Sequence, residues 1–189
     1  NPKMHCLNAD ELFRMVSDLL ELRPDIDTLY FNDDNFLFGK PLQKRGAEFA
    51  LKMMDADLSV PMLLQSRVDN IPSDLTKLLP TEELEERGYE NMNLLNLLSK
   101  AGVTKIGYGV ESFSAGGLES LNKKINVKET IKTLETTLRA NITPWSNVII
   151  GTPYINKEGI TNNLKAFMHY WNRGSPVAAV ALARRAATL

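Results

Sequence analysis

Residues 105–112 read Lys-Ile-Gly-Tyr-Gly-Val-Glu-Ser, and this stretch decides the fold that the sequence predicts. Ile106, Tyr108 and Val110 alternate with two glycines, which is typical of a buried strand in an α/β sheet. Strands of parallel α/β folds carry function at their carboxyl ends. Glu111 is therefore a candidate site residue, but it could equally cap the helix that follows, whose first turn is polar.

The same kind of strand alternates with helical patterns along the whole chain. Further β-prone runs predict strands at residues 28–31, 60–64 and 145–150. Apolar residues at helical spacing predict helices at residues 8–23, 41–54, 92–100, 118–121, 127–140 and 159–171. The alternation, with a period of about 35 to 40 residues, predicts an α/β fold built from βα units. Since a complete eight-stranded barrel needs about 250 residues, we expect a partial (β/α) barrel or a smaller open sheet.

Composition sets the outer bounds on function. The chain has 189 residues, of which 43% are hydrophobic, and one domain over residues 1–189 is expected, with an uncertain tail from residue 174. Its 22 basic and 23 acidic side chains give a net charge of −1, so no overall field favours nucleic acid or an anionic membrane. No apolar run approaches the roughly 20 residues that span a bilayer, and no signal peptide is evident. We therefore expect a cytoplasmic protein.

Polar side chains stand where the predicted strands end. They are Asp33 and Asp34, Arg67 and Asp69, Glu111 and Ser112, and the turn at residues 151–153. Acids, a guanidinium and a hydroxyl at one sheet edge suit a small ligand that carries an amine, a carboxylate and sugar hydroxyls. Plainer explanations stay open: an Asx turn or helix cap for the two aspartates, an ion pair with Asp69 for Arg67, and a simple turn at 151–153.

Other kinds of site find less support in the sequence. His5 and His169 lie far apart, which disfavours a histidine metal centre or a nucleophile triad. There is no phosphate-binding P-loop and no complete Gly-x-Gly-x-x-Gly fingerprint. The acidic run at residues 82–86 is interpreted as a solvated helix face. No catalytic residue and no metal ligand is assigned.

Several segments, read together, resemble the radical S-adenosylmethionine (radical SAM) superfamily, and in particular its subgroup with a cobalamin-binding domain. The resemblance covers about residues 8–170, and the segments that carry it lie at 29–36, 65–69, 97–102, 106–112, 121–124 and 148–153. The resemblance implies a partial (β/α)6 barrel, incomplete at both ends, that binds its ligand across the strand tips.

The resemblance also implies roles for individual residues. Asn32, Asp33 and Asp34 occupy the position that binds the amino group of S-adenosylmethionine, and Glu111 with Ser112 matches the segment that contacts its ribose or methionyl part. Residues 148–153, with Ile149 and Gly151, match the segment that borders the adenine. Arg67 fits a contact to the ligand carboxylate or to the substrate.

One departure from the family pattern is serious. The Cys-x-x-x-Cys-x-x-Cys loop that holds a 4Fe-4S cluster is missing, and Cys6, the only cysteine, does not occupy its position. We therefore expect a fragment of a longer radical SAM enzyme that cannot generate the radical by itself.

In that parent enzyme the resemblance implies S-adenosylmethionine, a 4Fe-4S cluster and cobalamin as cofactors. Its partners would be a small-molecule substrate and an electron donor such as flavodoxin or ferredoxin, with neither nucleic acid nor membrane. Two alternatives stay open. One is a degenerate, cluster-free barrel that binds a nucleoside or a partner, and the other is a barrel enzyme that holds Mg²⁺ with Asp33, Asp34 and Glu111.

Overall fold

A computed structural model describes residues 6–70, 73–150, 156–174 and 177–181. The strands are β1 Leu29–Tyr30, β2 Met62–Arg67, β3 Val103–Glu111, β4 Thr143–Ile150 and β5 Val177–Ala181. The helices are α1 Ala9–Leu22, α2 Gly39–Asp55, α3 Thr81–Arg87, α4 Leu94–Lys100, α5 Ala115–Ser120, α6 Val127–Arg139 and α7 Lys157–Trp171, with a short 3-10 helix at Leu75–Lys77. The predicted α/β alternation is confirmed.

The five strands form one parallel sheet in the order β1-β2-β3-β4-β5. When parallel strands are neighbours both in the sequence and in the sheet, each pair is joined by a crossover connection. Crossovers of one hand place their helices on the same face of the sheet. An open doubly wound sheet would instead reverse its strand order at some point. The observed order is therefore that of a partial barrel, as predicted.

Alternation along the strands separates a covered face from an open face. Met62 and Leu64 of β2 and Ile106, Tyr108 and Val110 of β3 are buried on the covered face. The residues between them form the other face, which is only partly covered and carries polar side chains and glycines, namely Gln65, Arg67, Gly107, Gly109, Trp145 and Asn147. A candidate ligand site is therefore to be sought on the open face and at its carboxyl edge.

The structure departs most from the sequence prediction at β2 and in the tail. The predicted strand at 60–64 lies further along, at Met62–Arg67, because its pairing with β3 continues to Gln65 opposite Gly107 and Arg67 opposite Gly109. The undecided tail contains β5, whose Val177 pairs with Ser146. Residues 182–189 lie outside the described part of the chain. Within the described residues, no helix is both long and apolar enough to cross a membrane.

A buried hydrogen bond fixes helix α6 to the sheet. Tyr108 is 1% exposed, and its hydroxyl lies 2.9 Å from Oγ1 of Thr137. Thr137 in turn donates to the carbonyl oxygen of Thr133, 2.8 Å away, so the tyrosine is the donor in the first bond. This bond joins the central strand to the helix behind it.

Tyr108→Phe tests this bond, and we expect it to lower the free energy of unfolding by about 1 kcal/mol near neutral pH. Burial raises the pKa of Tyr108 from 10.0 to about 12. Because the pKa of Tyr108 is higher in the folded state, this residue makes a contribution to the free energy of unfolding that is fully present below pH 10. That contribution is lost as the pH rises toward about 12. Urea unfolding at neutral pH and at about pH 11 should therefore show a smaller alkaline loss for the variant than for the wild type. Half-buried Tyr89 is the control position, and an equal pH response of Tyr89→Phe and Tyr108→Phe would contradict this assignment.

Candidate functional site

The carboxyl ends of β1 and β2 meet around one cavity of about 700 Å³. Asn32, Asp33 and Asp34 line it, and so does Arg67, as the strand-end prediction requires. The rest of the lining is mostly apolar and comes from α1, α2 and the segments beside β1: Cys6, Leu7, Leu12, Met15, Tyr30, Phe31, Asn35, Phe38, Leu42 and Arg45. A concave site with an apolar wall and a few charged groups is the usual form of a small-molecule site.

Aromatic packing holds the acidic loop after β1 in place. Phe36 is fully buried and its ring meets Phe31 edge-on at 5.2 Å, while Phe31 meets Phe49 of α2 at 5.8 Å. The Phe36 amide donates to the carbonyl oxygen of Gln65 in β2 at 2.8 Å. Both ends of the acidic segment are thus anchored to the core, so Asp33 and Asp34 are presented on a short, fixed loop.

Asn35 joins that loop to the end of β2. Its side-chain oxygen accepts from the Ser66 hydroxyl at 3.3 Å, the Arg67 amide at 3.3 Å and the Asn70 side chain at 3.0 Å. The sequence analysis gave Asn35 no role of its own. The helix-cap explanation for those aspartates is wrong, because the residue before α2 is Phe38 and no side chain caps this helix.

The guanidinium of Arg67 is already occupied by a carboxylate. Its Nε and Nη2 donate to the two oxygens of Asp69 at 2.8 and 2.5 Å. This bidentate hydrogen bond from Arg67 is the main reason that the pKa of Asp69 lies below its usual value of 3.8. The ion-pair alternative for Arg67 is therefore what the structure shows, even though the residue lines the cavity.

Glu111 ends β3 in an unusual backbone conformation. Its φ of 64° is left-handed, and the pairing with β4 shifts register between Gly109 and Glu111. 

One carboxylate oxygen of Glu111 accepts from Nζ of Lys123 at 3.1 Å. The same oxygen would lie 3.3 Å from a Cβ on Gly109, so the missing side chain at that position leaves room for the carboxylate. The helix-cap alternative for Glu111 is wrong, because Ser114 caps α5 by accepting from the Gly117 amide.

Lys123 connects Glu111 with the pair at the end of β2. Besides its bond to Glu111, its positive charge contributes to the lowered pKa of Asp69, after the larger effect of Arg67. The ends of β2 and β3 therefore carry two acids and two bases close together. Lys123 was not singled out from the sequence, because it comes twelve residues after Glu111 and only the path of α5 brings it back.

The remaining predicted residues lie in different surroundings. Ser112 is 1% exposed, and its hydroxyl donates to the side-chain oxygen of Asn163 on α7 at 3.2 Å, so it ties β3 to that helix. Neither Ser112 nor Glu111 lines the cavity beside β1. Ile149 is half-buried on β4, whereas Gly151 lies outside the described residues.

Two glycines of β3 lie on the open face, where Gly107 is buried and Gly109 is half-buried. Gly107 and Gly109 of β3 pair with Gln65 and Arg67 on one side and with Trp145 and Asn147 on the other. A Cβ on Gly107 would meet the side chain of Gln65 at 3.6 Å, and a Cβ on Gly109 would meet the Glu111 carboxylate at 3.3 Å, so neighbouring side chains use the space along this strip of β3. The side chain of Gln65 bonds the Tyr30 hydroxyl at the edge of this strip.

The described residues do not assemble a metal site. No group of three His, Cys, Asp or Glu side chains among them is arranged to hold a metal ion, and Cys6 is exposed. Asp33, Asp34 and Glu111 thus do not form the set of ligands that the Mg²⁺ alternative requires. The arrangement instead offers carboxylates and a lysine, which suit an organic ligand with an amine and hydroxyl groups.

The fold and this edge of the sheet define the class: a parallel (β/α) barrel segment with a small-molecule cavity at the ends of its strands. No protein-family model matches the chain, and no curated protein matches it in sequence. Solved structures do match it, and they are radical SAM enzymes.

Three of these structures illustrate the likeness. The cobalamin-dependent S-adenosylmethionine radical enzyme OxsB, with aqua-cobalamin and S-adenosylmethionine bound, gives a TM-score of 0.69 at 17% identity over 91% of this chain and 24% of that one. The radical S-adenosylmethionine methyltransferase TsrM from Kitasatospora setae gives 0.63 at 14% identity, over 89% of this chain and 28% of that one. Coproporphyrinogen III oxidase (HemN) from Escherichia coli gives 0.59 at 13% identity, over 93% of this chain and 37% of that one.

These matches establish the fold. The chain has the radical SAM type of α/β fold, so the predicted partial (β/α) barrel of this type is confirmed. The chain spans about a quarter of the length of OxsB and TsrM, 24% and 28%.

The Arg67–Asp69 pair gives a prediction that does not depend on any ligand. Because the pKa of Asp69 is lower in the folded state, this residue contributes to the free energy of unfolding above pH 3.8. That contribution is lost as the pH falls through the folded-state pKa. In Arg67→Met, we expect the pKa of Asp69 to rise toward 3.8 and this acid-sensitive part of the stability to disappear. Carboxyl ¹³C NMR titration measures the pKa directly. Arg23→Met is the control, because it removes the same kind of bidentate pair from Asp25 and should leave Asp69 unchanged.

Proposed function

We propose that this chain is the S-adenosylmethionine-binding core of a radical SAM iron-sulfur enzyme. The observation that carries the proposal is the cavity at the ends of β1 and β2, where two aspartates stand on an anchored loop in a fold shared with radical SAM enzymes. A carboxylate suits the amine of the ligand. The shared fold supports S-adenosylmethionine as the ligand, and the two aspartates at the cavity support the proposed position of its amino group.

In this proposal each end of the ligand has its own contacts. Asp33 and Asp34, with Asn32, bind the amino group, and Glu111 accepts from a ribose hydroxyl. The backbone of β4 near Ile149 borders the adenine, as does Gly151. Ser112 supports this edge through Asn163 rather than through its own contact, since its hydroxyl is buried.

The residues present do not fit the iron-sulfur cluster. A 4Fe-4S cluster of this class takes three protein thiolates, and the sequence contains one cysteine, Cys6. In our proposal the cluster, reductive cleavage of S-adenosylmethionine and hydrogen abstraction therefore belong to a longer parent protein. Its small-molecule substrate, its electron donor, such as flavodoxin or ferredoxin, and a cobalamin-linked methyl transfer or rearrangement are parts of the same proposal.

The single cysteine also favours a second candidate function. A cluster-free relative would keep the barrel and bind a nucleoside-like ligand or a partner without radical chemistry. Reading the gene upstream of the codon for Asn1 separates the two candidates. A Cys-x-x-x-Cys-x-x-Cys sequence within about 30 residues supports the enzyme, because three thiolates can then hold the cluster, and its absence supports the binder.

Calorimetric titration with S-adenosylmethionine tests the binding site itself. We expect the wild-type chain to bind it and Asp34→Asn to bind it about tenfold more weakly or worse, because a charged hydrogen bond to the ligand amine is lost. Asp57→Asn is the matched control, since Asp57 is exposed beyond the end of α2 and does not line the cavity.

Two results would overturn the proposal. One is no binding of S-adenosylmethionine by the wild type, and the other is equal binding by the Asp34 and Asp57 variants. A parallel titration with Mg²⁺ examines the remaining alternative. Binding of Mg²⁺ that Asp34→Asn abolishes, without any binding of S-adenosylmethionine, would favour the metal-dependent enzyme.

A further inference from the structure

Arg45 is a deeply buried guanidinium on helix α2. It is 7% exposed and follows the apolar side of the helix, four residues before Phe49 and eight before Met53. Its Cζ lies 4.6 Å from the centre of the Phe36 ring, and its Nη2 donates to the carbonyl oxygen of Phe36 at 3.2 Å. Arg45 therefore lies directly beneath the loop that carries the two aspartates.

The charge of Arg45 is poorly balanced for a group so buried. Its ion pair within the described residues is a single contact of 3.4 Å from Nη2 to Asp33, whose side chain is 57% exposed. Its buried Nε has no hydrogen-bond partner in the part of the chain that the structure describes. Charge-assisted hydrogen bonds are usually about 2.7 to 2.9 Å long, so this contact is a weak one.

Two other arginines in the structure each form a bidentate pair with one carboxylate. Arg67 holds Asp69 through two bonds of 2.8 and 2.5 Å, and Arg87 holds Asp55 through two bonds of 2.6 and 2.9 Å. Both of these arginines are more exposed than Arg45. Of these three guanidinium groups, that of Arg45 is the most buried, yet it has the weakest ion pair. Burying a charge in this way is energetically unfavourable unless another anion pairs with it.

Arg45 lines the same cavity as Asp33, Asp34 and Arg67. We infer that Arg45, rather than Arg67, binds the carboxylate of the ligand in this cavity. This inference rests on the proposed function, and it assigns the two ends of an α-amino acid group: the amine to the aspartates and the carboxylate to Arg45. A guanidinium suits this role because its planar donors match a carboxylate. Arg67 differs in that Asp69 already fills the Nε–Nη2 edge of its guanidinium and balances its charge.

A pair of ligands that differ only in the carboxylate tests the assignment. S-adenosylmethionine and decarboxylated S-adenosylmethionine share the amine, the sulfonium and the nucleoside. Calorimetry on the wild-type chain should show about 10- to 100-fold tighter binding of the first, as expected for a charged hydrogen bond. Arg45→Met should remove most of this preference by weakening only the ligand that has the carboxylate.

Two further variants control for folding. Arg87→Met removes a bidentate arginine outside the cavity and should keep the full preference. Arg45→Lys keeps the positive charge without the planar fork and should keep part of the preference, which allows a decision even if Arg45→Met does not fold. Circular dichroism verifies the fold of each variant.

The possible outcomes distinguish a failure of the role inferred for Arg45 from a failure of the proposed binding of S-adenosylmethionine. A wild type that binds neither ligand overturns both. A wild type that binds S-adenosylmethionine overturns the inference alone in either of two cases: the Arg45 variants weaken both ligands equally, or they keep the whole preference for the carboxylate. Loss of the preference in Arg45→Met, with the preference retained in Arg87→Met, supports it.

Discussion

Parallel pairing of the strands in sequence order is the constraint on which the rest of the structure depends. It brings the carboxyl end of every strand to one edge of the sheet, so loops far apart in sequence become neighbours. The amide of Phe36 bonds to β2, and Asn35 accepts three hydrogen bonds from the end of that strand and the turn after it. The acidic loop is thus held by the sheet itself, and its aspartates do not depend on a ligand for their position.

Most charges around this edge are compensated inside the protein. Asp69 balances Arg67, and Lys123 balances Glu111. Arg45 differs, because it is the most buried of these charged groups and its contact with Asp33 is long. In our proposal this arrangement suits a ligand that carries both signs of charge, since such a ligand can complete the weak pair without adding a net charge to the cavity.

The sequence was sufficient for the elements whose residues repeat at a simple period. Ile106, Tyr108 and Val110 marked the central strand, and acids after β1 marked the cavity. It was insufficient where a neighbour in space decides the outcome. Gln65 and Ser66 were placed beyond the end of β2 because they are polar, yet pairing with β3 keeps them in the strand. The left-handed turn at Glu111 and the return of Lys123 depend on the path of the chain. Arg45 left one signal, a cation on the apolar side of a helix.

The two ways in which this edge is held together differ in their response to dissolved salt. The link between Glu111 and Lys123 is electrostatic and close to the surface, so mobile ions screen it as the ionic strength increases. The bonds of Asn35 involve a neutral amide and are largely indifferent to that screening. The β1 side of the edge therefore keeps its geometry in concentrated salt, while the β3 side becomes looser.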